Sequence, residues 1–230
     1  MSNNNVQLWQ GRVLTEESPY DDNWRLLDDA EKNRAMRIQH ETKHKEYVHI
    51  HAQVRCLLAK LLNQNPEAII INRSPQGKPY LAEYTHISFN LSHSHEYYLL
   101  AISENCNLGV DIEFCKLKHN ISGLVDKCFA ANERDYWYLL SEYEQHRFFY
   151  ECWTRKEAFV KAIGRGIALG LDQVILDIDN MESLLSIPKQ CGYASDWFVH
   201  TVKAPNYYCA ALVLDKPSAD IRLSYVCNVF

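Results

Sequence analysis

The chain has 230 residues, 47% hydrophobic and 23% charged, proportions that exclude wholesale disorder and fit one large or two small domains with a core of their own. Its 29 acidic residues outnumber its 24 basic ones, for a net charge of −5 with the ten histidines neutral, a balance that argues against a general nucleic-acid or anionic-membrane binder. No stretch reaches the roughly 18 apolar residues of a membrane span.

Along the chain, Met1-Ser2-Asn3-Asn4-Asn5 shows no basic region followed by an apolar run, so no secretory signal is expected. Residues 20–45 mix acidic and basic side chains and read as a solvated helix or loop. Between 46 and 62, Tyr47, Val48, Ile50, Val54, Leu57, Leu58, Leu61 and Leu62 recur at helical spacing. Ile69-Ile70-Ile71 is a short β-branched run, and Ser74-Pro75-Gln76-Gly77-Lys78-Pro79 is a turn by composition. The apolar runs Ile87 to Leu91 and Tyr97 to Ile102 read as strands around a polar loop, Ser92-His93-Ser94-His95-Glu96. Leu108 to Phe114 is a further strand. Asn132 is placed to cap a helix beginning at Glu133. A longer helix runs from about Gln145 to Ile163 and stops at Gly164-Arg165-Gly166. Strand-like runs follow at 173–178, 197–203, 207–214 and 221–226.

Eight cysteines, none closer than nine residues to the next, form no CxxC motif. That spacing argues against a zinc knuckle and fits reduced core thiols in a cytoplasmic protein. Tyr97-Tyr98-Leu99-Leu100-Ala101-Ile102 rhymes with Tyr207-Tyr208-Cys209-Ala210-Ala211-Leu212. The expected fold is therefore α+β in two similar halves, 1–106 and 107–230, with a cleft between them.

Four constellations carry chemistry. In Gly109-Val110-Asp111-Ile112-Glu113 a strand sends Asp111 and Glu113 to one face and Val110 and Ile112 to the other. Two carboxylates so close call for a cation, and hard oxygen ligands favour Mg²⁺ or Mn²⁺; an exposed, solvated strand face is the plainer reading. In Trp153-Thr154-Arg155-Lys156-Glu157-Ala158-Phe159-Val160-Lys161, Glu157 and Lys161 share a helix face. Alone they are an ordinary i,i+4 pair, but beside Asp111 and Glu113 they add a third carboxylate and a phosphate-holding cation. Ser92 and His93 offer hydrogen bonds to phosphate, and no G-x-S-x-G elbow surrounds Ser92. Gly77-Lys78-Pro79 combines close backbone approach, charge and stiffness without being a P-loop.

Taken in order, Gly77-Lys78-Pro79, Phe89-Asn90-Leu91-Ser92-His93-Ser94, Gly109-Val110-Asp111-Ile112-Glu113, Phe129 to Glu133, and Trp153 to Ala158 with Lys161 and Gly164 resemble the 4′-phosphopantetheinyl transferase superfamily, in its monomeric, surfactin-synthetase-activating type. The resemblance spans roughly residues 31 to 170. It implies two α+β halves about a pseudo-twofold axis with coenzyme A in the cleft. It implies transfer of phosphopantetheine from coenzyme A to a serine of an acyl- or peptidyl-carrier protein of fatty-acid, polyketide or nonribosomal-peptide synthesis, with release of 3′,5′-ADP. By the same resemblance Asp111, Glu113 and Glu157 are ligands of Mg²⁺, with Mn²⁺ as the alternative. Glu157 is also the base, directly or through water. Lys161 touches the pyrophosphate, Ser92 and His93 the coenzyme A phosphates, and Gly77 and Lys78 the nucleotide end; Asp111, Glu157, Lys161 and His93 form the catalytic set. Lys32 stands at one of two basic places for the 3′-phosphate and Asp29 at the other, with Lys43, Lys45 and Arg55 as substitutes.

An acidic carrier would meet Lys116, Lys118 and Lys127 or exposed aromatics near Phe129 and Tyr136. No nucleic acid, no membrane and no second copy of the chain is expected. Two rival readings use the same residues. One is a carboxylate-metal nuclease or phosphatase, which would want E-x-K after the paired acids, where Cys115 stands instead. The other is a coenzyme A- or carrier-binding module without catalysis, against which the intact set Asp111, Glu113, Glu157 and Lys161 argues.

Overall fold

A computed structural model describes residues 5–14, 18–116, 121–164, 169–217 and 220–226. Lys118, Arg165-Gly166 and Cys227 lie outside the described residues. The first strand, β1 (Asn5–Arg12), buries Val6 and Leu8 and is absent from the sequence-based expectations. The charged stretch after it holds two short helices, α1 (Tyr20–Leu26) and α2 (Asp29–Ala35). They are neither wholly solvated nor a loop: Asn23, Leu27, Glu31 and Ala35 are buried against the long helix α3 (Glu41–Leu62). α3 starts before the apolar period does, and ends with Asn63 in the left-handed conformation.

After α3 a small hairpin, β2 (Ile71–Arg73) and β3 (Pro79–Leu81), carries the Gly77 turn, where φ is +90°. Then come β4 (Ile87–Ser94), β5 (Tyr97–Glu104) and β6 (Leu108–Phe114). The next helices are α4 (Ser122–Cys128), α5 (Ala131–Leu139) and α6 (Glu142–Ile163). Asn132 lies inside α5 and does not cap it. The cap position is Ala130, whose N–H is taken by the carboxylate of Glu133 at 2.8 Å. α6 begins at Ser141, where Glu144 accepts the Ser141 N–H at 3.0 Å. That capping signal precedes the apolar run from which the helix was placed. The remaining strands are β7 (Ile175–Leu176), β8 (Leu184–Ser186), β9 (Phe198–Thr201), β10 (Tyr208–Leu214) and β11 (Asp220–Tyr225).

The fold is α+β, with two main sheets. One has the order β11-β1-β5-β4, in which β11 returns from the end of the chain to pair parallel with β1. The other is β6-β10-β9, antiparallel throughout. α3 covers the outer face of the four-stranded sheet through Ile50, Val54, Leu57 and Leu58 on Phe89, Leu100 and Ile102. The sheets face one another through Val6, Leu8, Leu99 and Ala101 on Val110, Ile112, Ala210 and Leu212. α6 packs on the far face of the three-stranded sheet through Phe159 and Val160, against Ala211 and Val213. It lies so close to β6 that a Cβ on Gly109 would fall 2.0 Å from the Ala158 carbonyl oxygen. Among the described residues no helix is long and apolar enough to cross a membrane.

β4 runs on through Ser92, His93 and Ser94, so these are strand residues and not the expected loop; the turn is His95-Glu96 alone. The polar alternation that resembles a loop has a packing cause. Odd residues Phe89 and Leu91 face α3, while Asn90, Ser92 and Ser94 face the neighbouring edge of β6 and bond to its backbone.

Candidate active site

β6 and α6 bring the acidic residues together. Val110 and Ile112 are fully buried between the sheets, which turns Asp111 and Glu113 the other way, toward α6. Leu91, Ser92, His93, Asp111, Glu113, Trp153, Glu157 and Lys161 line one cavity of about 370 Å³. A second cavity of about 380 Å³ shares Leu91, His93, Glu157 and Lys161 with it. The second extends past Gly77, Lys78 and Gly164 to Arg34, Tyr47, His51 and Arg73. The joined space has an acidic end and a basic end.

At the acidic end Lys161 Nζ donates to Asp111 Oδ1 at 2.6 Å and to Ser92 Oγ at 2.8 Å. The Ser92 hydroxyl donates in turn to Asp111 Oδ1 at 2.8 Å. Ser94 Oγ donates to Glu113 Oε2 at 2.8 Å. Asp111 Oδ2 and Glu157 Oε1 are buried and have no hydrogen-bond partner among the described residues. Burial pushes the Asp111 carboxyl above its ordinary value despite Lys161. Glu157 is raised as well, by burial first and then by the Asp111 and Glu113 charges. Two buried carboxylates with an orphaned oxygen each are costly as they stand, and a cation would relieve both. Among the described residues no three acidic, histidine or cysteine side chains close into a ready-made cage. Mg²⁺ keeps much of its water and needs only one or two carboxylates plus substrate oxygens, so an open set of this kind fits it.

His93 is open to the cavity yet largely surrounded by protein. That desolvation, followed by the nearby Lys161 and Lys43 charges, holds its imidazole below the ordinary histidine value. It is thus a neutral hydrogen-bonding group near pH 7 and not a fixed cation.

The basic end differs from the sequence-based expectation. Lys32 is not among the residues lining the cavity; α2 contributes Glu31 and Arg34 instead. Arg55 is fully buried and unavailable as a substitute. It pairs with Asp28 and, at 2.5 Å, with Glu31, and donates to the carbonyls of Pro66 at 3.1 Å and Ile69 at 2.8 Å. Lys43 and Lys45 pair with Glu46 and Glu41 at the surface. His51 stacks on Tyr47, with ring centres 4.0 Å apart, and reaches Glu31 Oε1 at 3.0 Å. Burial pushes the Glu31 carboxyl up, but His51 and Arg55 together bring it below the ordinary value. Arg34, Tyr47, His51 and Arg73 escape a reading of spacing because three separate elements supply them. The one available sign is the i,i+4 pair Tyr47 and His51 on α3.

Lys78 lines the cavity, but its ammonium is spent on backbone. Nζ donates to the carbonyls of Ala162 at 2.7 Å and Leu108 at 3.1 Å, linking the β2–β3 turn to α6 and β6. Gly164, with φ at +73°, leaves room for its stem. Phe129 is buried, so it offers no exposed aromatic to a partner, while Tyr136 is at the surface.

Comparison with known proteins assigns the two parts of the chain to matching models. Residues 107–213 match the 4′-phosphopantetheinyl transferase superfamily, and residues 15–105 match the N-terminal part of 4′-phosphopantetheinyl transferases. A Synechocystis protein described as a candidate 4′-phosphopantetheinyl transferase is 33% identical over 75% of this chain and 70% of its own length. The Nostoc 4′-phosphopantetheinyl transferase HetI is 28% identical over 71% of this chain and 70% of its own. A Bacillus subtilis 4′-phosphopantetheinyl transferase, ffp, is 34% identical over 52% of each.

Proposed function

The chain belongs to the 4′-phosphopantetheinyl transferase superfamily, and from that premise we propose that the joined cavity is where phosphopantetheine leaves coenzyme A for a carrier-protein serine. The observation that carries the placement is the pair of orphaned buried oxygens, Asp111 Oδ2 and Glu157 Oε1, beside Lys161. Mg²⁺ held by Asp111, Glu113 and Glu157, with Mn²⁺ as the alternative, would neutralise charge on the pyrophosphate.

The chain's own groups divide the remaining work. Lys161 Nζ already stands between Asp111 and Ser92 and is the cation nearest a bound phosphate. His93 supplies a hydrogen bond where charge develops on the leaving 3′,5′-ADP, while the Ser92 hydroxyl keeps its hydrogen bond to Asp111 and holds that carboxylate in place. Arg34 and Arg73 at the basic end hold the nucleotide's outer phosphate, in place of Lys32. Glu157 accepts the serine proton, directly or through water, as the hydroxyl oxygen bonds to phosphorus and the pyrophosphate bond breaks.

The two sheets, each with a 22-residue helix on its outer face, are on this reading duplicated halves about a pseudo-twofold axis. On the same reading a monomer holds a complete cleft, and the free thiols among the described residues fit a cytoplasmic protein. The test is to incubate the protein with coenzyme A, Mg²⁺ and a panel of apo-carrier proteins, then weigh the carriers. A gain of one phosphopantetheine that EDTA abolishes supports the reading. Tight coenzyme A binding without any gain on any carrier would refute it.

A further inference from the structure

β4 and β6 are edge strands of different sheets, and side chains join them where a backbone ladder would otherwise run. Val110 N–H donates to Asn90 Oδ1 at 2.9 Å, Ile112 N–H to Ser92 Oγ at 3.3 Å, and Phe114 N–H to Ser94 Oγ at 3.1 Å. Alternate residues of one strand thus meet alternate N–H groups of the other. Each serine also has a proton to give. Ser92 gives its proton to Asp111 and Ser94 to Glu113, both at 2.8 Å. A single hydroxyl therefore grips the β6 backbone and the carboxylate one residue before that grip.

We propose that Ser94 is a positioning residue that sets the carboxylate of Glu113 for the metal, as the Ser92 hydroxyl does for Asp111. The proposal rests on the metal reading above. Glu113 has one more side-chain torsion than Asp111 and is less buried, so it has more freedom to lose when it binds an ion. Ser94 is anchored by the Phe114 N–H, which makes it a fixed donor and not a rotating one. Hydrogen bonds of this kind around metal ligands orient them, and their loss costs on the order of 10- to 100-fold in metal affinity.

The test is Mn²⁺ binding to the coenzyme A-loaded protein, read by electron paramagnetic resonance without any turnover. Ser94→Ala is expected to raise the Mn²⁺ Kd about 10-fold or more, while coenzyme A affinity in EDTA stays at the wild-type value. Ser94→Thr and Ser94→Val form a second pair of equal shape, which serves if the alanine variant fails to fold. The threonine variant should keep the wild-type Kd and the valine variant should lose it. Equal Mn²⁺ affinity in the threonine and valine variants, with wild type binding normally, would overturn the proposal. Failure of the wild type itself to bind Mn²⁺ would instead overturn the metal reading, and this proposal with it.

Discussion

α6 carries two lysine–carboxylate pairs five residues apart, and they are finished to different degrees. Lys156 and Glu133 are both fully buried, 2.6 Å apart. Lys156 spends its other two protons on the carbonyls of Cys128 and Leu171. Glu133 also accepts the N–H groups of Ala130 and Leu176. Every strong bond that pair can make is made, so nothing is left to offer a ligand. Lys161 and Asp111 are as close, at 2.6 Å, but Lys161 keeps 27% of its side chain exposed and Asp111 keeps an orphaned oxygen. Glu157, one turn before Lys161, keeps another. The closed pair pins α6 to α5 and the loop after it. The open pair is where we propose that the chemistry takes place. Completeness of hydrogen bonding, more than burial or charge, separates the two.

Breaking the closed pair should cost the most stability. Lys156→Met leaves Glu133 buried without its cation, a loss of about 3–5 kcal/mol, read as a lower denaturation midpoint or as failure to fold. Transfer by whatever fraction remains folded should be little changed at temperatures well below the melting point. Breaking the open pair should do the reverse. Glu157→Gln is expected to reduce transfer on the order of 100-fold or more. It also removes one of three crowded carboxylates, so the ligand-free protein should melt about 2–4 °C higher, the shift that roughly 1 kcal/mol gives in a chain of this size. A stability loss in Glu157→Gln measured by calorimetry would mean that its carboxylate is structural after all.

Lys78 sharpens the comparison as an intermediate case. It has two carbonyl acceptors and, among the described residues, no carboxylate at hydrogen-bonding distance. Lys78→Met should cost about 1–3 kcal/mol of stability, as two charged hydrogen bonds at a half-buried site are lost. A pH series gives the sign independently. Burial pushes the Lys78 ammonium down to about 8. Between that value and the ordinary lysine range the unfolded chain binds the proton more tightly. Wild-type stability relative to Lys78→Met should therefore grow as pH rises through that window and level off at its lower value below about 8, where both states hold the proton. A difference that stays constant with pH would show that the ammonium is not desolvated.

The open pair was legible in the sequence because its parts are local. Asp111 and Glu113 alternate on one strand, and Glu157 and Lys161 sit one turn apart. The closed pair was not. Lys156 lies between Arg155 and Glu157 in a charged run, and nothing in that run says that its side chain is fully buried. Its partner Glu133 reads as an ordinary first-turn acid. The same holds for β1, for its parallel pairing with β11 that joins the two ends of the described chain, and for the end of β4, where hydroxyls stand in for a ladder and so imitate a loop. Each of these depends on a neighbour distant in sequence, which periodicity cannot supply.

On the proposed function, the orphaned oxygens at Asp111 and Glu157 mark the place where a cation joins coenzyme A to the protein. Calorimetric titration of coenzyme A into wild type and Asp111→Asn, each with Mg²⁺ and with EDTA, tests it most directly. The account predicts that Mg²⁺ tightens binding to wild type and that Asp111→Asn loses this gain while keeping the EDTA affinity. Equal tightening by Mg²⁺ in both proteins would contradict it.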